Sequence, residues 1–313
     1  MSHPLISIVI PIHNEEEVLE VLYQRLMTTM DNMGKSFEVL FTNDGSRDRS
    51  AEILNEMQQR RPKEVRVIHF NGNFGQHMAI MAGFENVRGE IIITLDADCQ
   101  NPPEEIPKLV ELMEKGHDVV GGYRMDRQDK VWRLVVSKCH NIFRKWIAPK
   151  IEMKDEGCML RAYSKRIVEL MLSSRESSTF IPALAMLYAQ NPAEVGVKHE
   201  ARELGETSYS FYKLIRYNFD LVTNFSLVPL QMFTFIGVLV SMLSTFFVIY
   251  LFIRRLLIGP EAEGVFTLFA IAFFLIGICL MGLGIIGEYI GRIYTEVQGR
   301  PRFVIKEIVQ SED

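Results

Sequence analysis

Glu90-Ile91-Ile92-Ile93-Thr94-Leu95 runs directly into Asp96-Ala97-Asp98-Cys99-Gln100, and the reading of that junction decides the fold. The first six residues are strand formers, and the uninterrupted apolar run fits a strand covered on both faces. Residues i and i+2 of an extended segment point to the same side, so Asp96, Asp98 and Gln100 can aim their oxygens at one point. Two carboxylates this close repel each other, and burial raises the cost unless a positive charge sits between them. Oxygen ligands of this kind suit Mg²⁺ or Mn²⁺ rather than zinc or copper. The alternative is that Asp96 and Asp98 only end a strand and open a turn, a common use of aspartate.

Working outward, strand and helix patterns alternate. Leu5–Ile10, Phe37–Phe41 and Val65–Phe70 are strand-like, as is Asp118–Gly121 further on. Helical spacing runs over Glu15–Met33, Arg49–Arg60 and Gly75–Val87, and over Pro102–Lys115, whose Pro-Pro-Glu-Glu suits a helix start. Such alternation predicts an α/β domain with a mostly parallel sheet covered by helices. Ligands of these sheets sit beyond the carboxyl ends of the strands. The unusual residues cluster there: Pro11-Ile12-His13-Asn14-Glu15 after the first strand, Thr42-Asn43-Asp44-Gly45-Ser46 after the second, and the aspartate pair after the fourth. A carboxylate such as Asp44 can accept a hydrogen bond from a base N–H, and the glycine beside it lets a ring approach the backbone. Each segment alone is an ordinary turn; their joint occurrence at the ends of one sheet points to a ligand site.

Pro11–Glu15, Asn43–Ser46 and Asp96–Asp98 resemble the signature of inverting family 2 glycosyltransferases with the GT-A (Rossmann-like) fold. The resemblance continues through Gly287-Glu288-Tyr289-Ile290-Gly291-Arg292-Ile293-Tyr294 and Arg300-Pro301-Arg302-Phe303, and the apolar tail is similar to that of the polyisoprenyl-phosphate glycosyltransferases. Asn73–His77, Gln100–Pro107, Gly157–Tyr163 and Ser178–Pro182 are most similar to the members that place 4-deoxy-4-formamido-L-arabinose on undecaprenyl phosphate. The resemblance implies a UDP-sugar donor, a lipid-phosphate acceptor, inversion at the anomeric carbon, Mg²⁺ or Mn²⁺ as cofactor, and a role in lipid A and cell-envelope modification. It implies a homotetramer as well.

By the same resemblance Pro11, His13, Glu15, Asp44 and Asp96 hold the nucleotide, while Asp96, Asp98 and Gln100 hold the metal. Asp96, Asp98 and Arg124 carry catalysis. Arg124, Arg133, Ser137 and Arg202 receive the acceptor phosphate. That phosphate is already an anion, so it needs positioning and relief of repulsion rather than a general base. Family members often carry Tyr at the position of His13 and a second Asp at that of Asn43. Ser208 stands where a lysine is usual, so one phosphate contact is either missing or supplied by Lys213.

The last third carries the hydropathy. Leu221–Ile253 and Val265–Ile286 contain no charged residue. Each is long enough to cross a bilayer as a helix, with a short turn-rich link around Gly259-Pro260. Two transmembrane helices are expected, at about 227–253 and 265–286. A GT-A domain over 1–209 precedes them, then an interfacial helix over 210–226, and a tail over 288–313 follows. The alternative is a pair of buried core helices. Lys130–Lys150 brings Trp132, Phe143 and Trp146 to helical spacing among basic residues and without an acid. That pattern predicts a helix over about 130–148 on a bilayer surface. Arginine and lysine placement favours both termini in the cytoplasm, at a bacterial inner membrane. Met1-Ser2-His3-Pro4 leads straight into a strand, so no signal peptide is expected. The four cysteines lack metal or redox spacing, and a formal net charge of −5 argues against nucleic acid as a partner.

Other readings keep the chemistry and change the sugar to glucose, a hexosamine or mannose, or make the chain a non-catalytic, membrane-tethered nucleotide-sugar-binding scaffold. An intact Asp96, Asp98 and Gln100 set argues against the scaffold. A processive polysaccharide synthase is disfavoured because Gln-x-x-Arg-Trp is absent.

Overall fold

The computed structural model describes residues 4–125, 153–155, 157–174, 180–200, 228–259, 265–299 and 301–311. The strands are β1 (Ile6–Ile12), β2 (Phe37–Asn43), β3 (Val65–Phe70), β4 (Ile91–Thr94), β5 (Val119–Arg124), β6 (Arg161–Ser164), β7 (Pro192–Val197) and β8 (Ile305–Val309). They form one sheet in the order β7-β5-β6-β4-β1-β2-β3-β8. Every residue of β1, β3 and β4 is buried, which is why these strands read as apolar runs. The chain steps outward from β1 through β2 to β3, all parallel, and then places β4 on the opposite flank of β1. This reversal opens a crevice beyond the carboxyl ends of β1 and β4, where open α/β sheets bind ligands. The aspartate pair lies there.

The sheet is mostly parallel, as expected, and three of its pairings run the other way. β6 runs antiparallel to both β4 and β5, and β8 antiparallel to β3. These pairings join segments far apart in the chain, and strand periodicity does not report direction.

The helices of this unit are α1 (Leu19–Met33), α2 (Ser50–Arg60), α3 (Gln76–Asn86), α4 (Ile106–Glu114), α5 (Lys165–Ser173) and α6 (Ile181–Tyr188). Leu19, Leu22, Leu26 and Met30 of α1 follow one helix face and join the core cluster with Ile8, Ile10 and Ile12. Each fully buried Ile or Leu contributes about 1.5–3 kcal/mol. Gly34, in the left-handed region at φ 63°, ends α1. The helix begins four residues later than the pattern at Glu15 predicts, because side chains of the next loop take the local N–H groups. Glu15 donates its backbone N–H to Ser50 Oγ (3.0 Å) and Glu16 to Asp48 Oδ2 (3.1 Å). Likewise Pro103–Glu105 forms one 3₁₀ turn before α4 starts.

The described residues up to Glu200, with 301–311, form one compact unit; the other contains α7 (Val228–Ile258) and α8 (Val265–Val297). Within α7, Leu230–Arg254 has a mean hydropathy of 2.4 with none of its most apolar window buried. Within α8, Ile271–Thr295 has 2.3 with 6 % buried. These helices are long and apolar enough to cross a membrane. They meet where the Phe233 ring packs on Gly282, in space that only glycine leaves. α8 continues past the expected end at 286, since no proline interrupts 287–297. Gly299 (φ 58°) and Pro301 then stop it. The helices expected over 130–148 and 210–226 lie outside the described residues.

Candidate functional site

β4 delivers Thr94 into the core, and the chain leaves the sheet at Leu95. Asp96 Oδ1 accepts a hydrogen bond from Gln76 Nε2 at 2.7 Å, from the first turn of α3. Asp98 Oδ1 accepts the Gln100 N–H at 3.1 Å and closes a tight turn, with Cys99 in the left-handed region at φ 57°. The Asp96 carboxyl keeps part of its surface exposed but sits among dense protein. Burial pushes its pKa up to about 7, and the charges of Asp98 and Glu15 add to that while the Gln76 bond opposes it. The charges of Asp98 and Glu15 thus both reach Asp96 at the switch point. Gln100 follows in the same turn, with its carbonyl accepting the Glu200 N–H at 2.9 Å.

Beyond β1 and β2 the predicted nucleotide residues form a cross-braced rim. Pro11 is buried in β1 opposite Thr42, so it shapes the strand end from inside. His13 is exposed, its Nδ1 2.9 Å from the Asp44 carbonyl oxygen, and the Asn73 amide nitrogen lies 3.1 Å from its Nε2. Asn14 donates its N–H to Ser46 Oγ (3.1 Å) and accepts the Arg47 N–H at 2.8 Å. The Asp44 carboxylate, expected to face a base, is 2 % exposed and accepts the N–H groups of Phe74 (2.6 Å) and Gly75 (2.8 Å). Its placement thus fixes the start of α3, and with it Gln76. Asn43 accepts the Ser46 N–H at 3.0 Å and lies 3.0 Å from His69 Nδ1, a bridging use that Asp could not make to an acceptor nitrogen. Gly45 stands at φ 64°, where a Cβ would come within 2.5 Å of the Gly72 carbonyl carbon. Only glycine allows the two loops to meet.

On the other flank, Arg124 ends β5 and is gripped by Asp155: Nε donates to Oδ2 at 2.6 Å and Nη2 to Oδ1 at 2.8 Å. Asp155 is 6 % exposed. Burial raises its pKa, but the Arg124 hydrogen bond and charge, with the Arg124 and Gly157 N–H groups, overturn that and hold it below the ordinary value. Arg161, 1 % exposed, donates to the carbonyls of Asp155 (2.6 Å) and Cys158 (2.9 Å), fixing the segment that carries Asp155. Arg25 reaches Glu104 and Glu200 at 2.9 and 3.0 Å, tying residue 200 to the loop after Asp98. His199 is thereby set where Arg124, Asp98 and Asp155 all act on it. Burial lowers its pKa, and its buried Nδ1 has no hydrogen-bond partner among the described residues.

The structure thus brings Asp96, Asp98, Glu15 and the Gln100 turn together, with Asp44 and His13 beside them and Arg124 on the opposite flank. Arg133, Ser137, Arg202 and Lys213 lie outside the described residues. Sequence reasoning missed Gln76, Asp155 and His199. The Gln76 position one residue after a turn glycine was a usable signal, whereas Asp155 and His199 sit in unpatterned loops.

The Glycosyl transferase family 2 profile matches residues 7–171. The undecaprenyl-phosphate 4-deoxy-4-formamido-L-arabinose transferase of Edwardsiella ictaluri (strain 93-146) is 47 % identical over 308 residues, covering 98 % of this chain and 94 % of that protein. The protein of the same name from Pectobacterium carotovorum subsp. carotovorum (strain PC1) matches with the same identity and coverage. Among solved structures, glucosyl-3-phosphoglycerate synthase from Mycobacterium tuberculosis in complex with phosphoglyceric acid superposes with a TM-score of 0.50 at 17 % identity, over 71 % of this chain and 80 % of that one. Its complex with Mn²⁺, UDP-glucose and phosphoglyceric acid gives 0.50 at 16 % identity, over 71 % and 78 %. At that identity the likeness speaks for the GT-A fold alone. With the profile spanning half the chain and relatives alike over nearly all of it, this chain belongs to glycosyl transferase family 2.

Proposed function

We propose that this glycosyltransferase moves 4-deoxy-4-formamido-L-arabinose from a UDP-sugar to undecaprenyl phosphate, with inversion at the anomeric carbon. The 47 % identity to proteins named for that transfer, over 98 % of this chain, supports the substrate pair. The observation that carries the chemistry is the placement of Asp96 and Asp98 in the turn that leaves β4 at the sheet's switch point, with Gln76 bonded to Asp96 at 2.7 Å and the Gln100 N–H to Asp98 at 3.1 Å.

No group of three or more His, Cys, Asp or Glu side chains arranged for a metal occurs among the described residues. The donor set still fits Mg²⁺ or Mn²⁺, which commonly take one or two carboxylates and complete their shell with substrate phosphates and water. Asp96 and Asp98, with Gln100, would hold such an ion, which supplies charge neutralisation for the departing diphosphate. His13 and the loop fixed by Asp44 orient the nucleoside. Arg124, aligned by Asp155, offsets repulsion between the donor diphosphate and the incoming phosphate. Arg133, Ser137 and Arg202, with Lys213 in place of the usual lysine at Ser208, complete the acceptor-phosphate contacts. No side chain is asked to remove a proton, because the nucleophile is already ionised.

The apolar helices α7 and α8 would span a bacterial inner membrane with the GT-A domain (1–209) and the tail on the cytoplasmic side. The basic helix over 130–148 and the segment 210–226 would lie along its surface, where a lipid phosphate resides. Calorimetry of UDP binding with Mn²⁺ or EDTA tests the site. Binding that tightens with Mn²⁺ in the intact chain and does not in Asp98→Ala supports it; indifference to metal overturns it.

A further inference from the structure

The loops after β1, β2 and β3 enclose a cavity of about 890 Å³ lined by His13, Asn14, Ser46, Arg47, Asn73 and Lys306, among others. Its wall combines amide and hydroxyl groups with two cations, and among the described residues no carboxylate side chain lines it. That composition suits a polar ligand rich in oxygen acceptors. One wall residue comes from far along the chain. Lys306 lies on β8, more than two hundred residues from the others and beyond both apolar helices.

The tail strand is fixed to this place at both ends. Beside the cavity, the Asn71 N–H donates to the Val304 carbonyl at 3.1 Å. The Phe303 ring stacks on Phe70 at 5.2 Å between centroids and 9° between planes. Phe70 in turn meets Phe74 edge-on at 5.6 Å, and the Phe74 N–H is the one that Asp44 holds. At the far end, Gln310 Oε1 accepts from Arg66 Nε (3.0 Å) and Arg88 Nη2 (3.3 Å). Among the described residues the acid paired with Lys306 is Glu307 at 3.9 Å, with both side chains more than half exposed, so the pair is weak and leaves the ammonium available to a ligand.

We propose that Lys306 is a donor-binding residue, delivered by the C-terminal strand to the nucleotide pocket. There it donates, with Arg47, to carbonyl and hydroxyl oxygens at the nucleoside end of UDP, and its charge adds longer-range attraction for the diphosphate at Asp96 and Asp98. This rests on the donor reading above, and it makes the tail part of the site rather than a trailing segment. The cavity shares His13 with the rim of that site and lies toward β3 and β8, away from the aspartate pair, so Lys306 acts on donor affinity and not on the reacting bond.

The test is UDP titration by calorimetry on the full chain in detergent with Mn²⁺, for the unaltered protein, Lys306→Met, Lys306→Glu and Lys306→Arg. A partly exposed charge contact predicts about fivefold weaker binding for Lys306→Met and a larger loss for Lys306→Glu, with Lys306→Arg within about twofold of the unaltered chain. The loss narrows as salt is raised, a response that a packing defect does not give. In turnover the change falls on KM for the donor. Unaltered UDP affinity in both Lys306→Met and Lys306→Glu overturns the assignment of Lys306 while leaving the donor reading intact. No UDP binding by the unaltered chain overturns the donor reading itself.

Discussion

Arg124 and Asp155 form a two-bond ion pair, at 2.6 and 2.8 Å, between the end of β5 and a segment that the buried Arg161 holds from behind. Asp155 is nearly inaccessible, while Arg124 keeps 22 % of its side-chain surface. The carboxylate therefore serves the arginine, fixing a cation at the edge of the site.

Asp155→Asn keeps the volume and removes the carboxylate charge that grips the partly buried Arg124 guanidinium. Unfolding free energy is expected to fall by about 2–4 kcal/mol. Turnover should drop at least about tenfold, with UDP affinity close to unaltered. The Asp155 pKa is held down in the folded chain, so the pair's stabilisation is complete above the ordinary Asp value of about 4 and is lost as pH falls below it. Chemical denaturation at pH 7 and at about pH 3.5 should show the variant's deficit shrinking in acid. An equal deficit at both would mean that Asp155 matters only for packing.

Asp96→Asn separates stability from function. In metal-free protein the Asp96 charge sits beside Asp98 and Glu15 and opposes folding, so the neutral amide should raise Tm in EDTA by about 2 °C or more. The same change should reduce turnover with Mn²⁺ by about 10²–10³-fold, the range expected when several kcal/mol of charge stabilisation are lost. A lower Tm together with retained turnover would remove Asp96 from the metal site.

Gly45→Ala should disturb both the fold and the nucleotide rim. The added Cβ meets the Gly72 backbone at 2.5 Å, and alanine dislikes φ 64°. A cost of about 2 kcal/mol or more is expected, with weaker UDP binding as the loops separate. Thermal unfolding and titration of one sample measure both. Gly34→Ala, also at positive φ but with nothing within 4 Å, is the control, and it should lose stability without losing UDP affinity.

Much of this was legible along the chain. Residues buried on both faces of β1, β3 and β4 announce themselves as apolar runs. Asp96 and Asp98 sit at a strand end that short-range patterning locates, and two long uncharged stretches became α7 and α8. The unread parts depend on contacts across the chain. Nothing near Asp155 marks it as a partner of Arg124, thirty-one residues earlier. Nothing in Ile305–Val309 says that it returns to β3 antiparallel and so carries Lys306 back to the sheet. Asp44 was recognisable as special, but its two bonds to Phe74 and Gly75 follow only once β2 and β3 are neighbours. The delayed start of α1 has the same origin, in Ser50 and Asp48 capping N–H groups of another loop.

The central claim is transfer of a sugar from UDP to a lipid phosphate at the Asp96–Asp98 site. The most direct measurement incubates the full chain in detergent with undecaprenyl phosphate and radiolabelled UDP-sugars, including UDP-4-deoxy-4-formamido-L-arabinose, with Mn²⁺ or EDTA. Label is expected in the lipid phase with the formamido-arabinose donor and Mn²⁺, and neither in EDTA nor with Asp98→Ala. Mn²⁺-dependent UDP binding with no lipid label from any donor would contradict it and leave a nucleotide-sugar-binding scaffold.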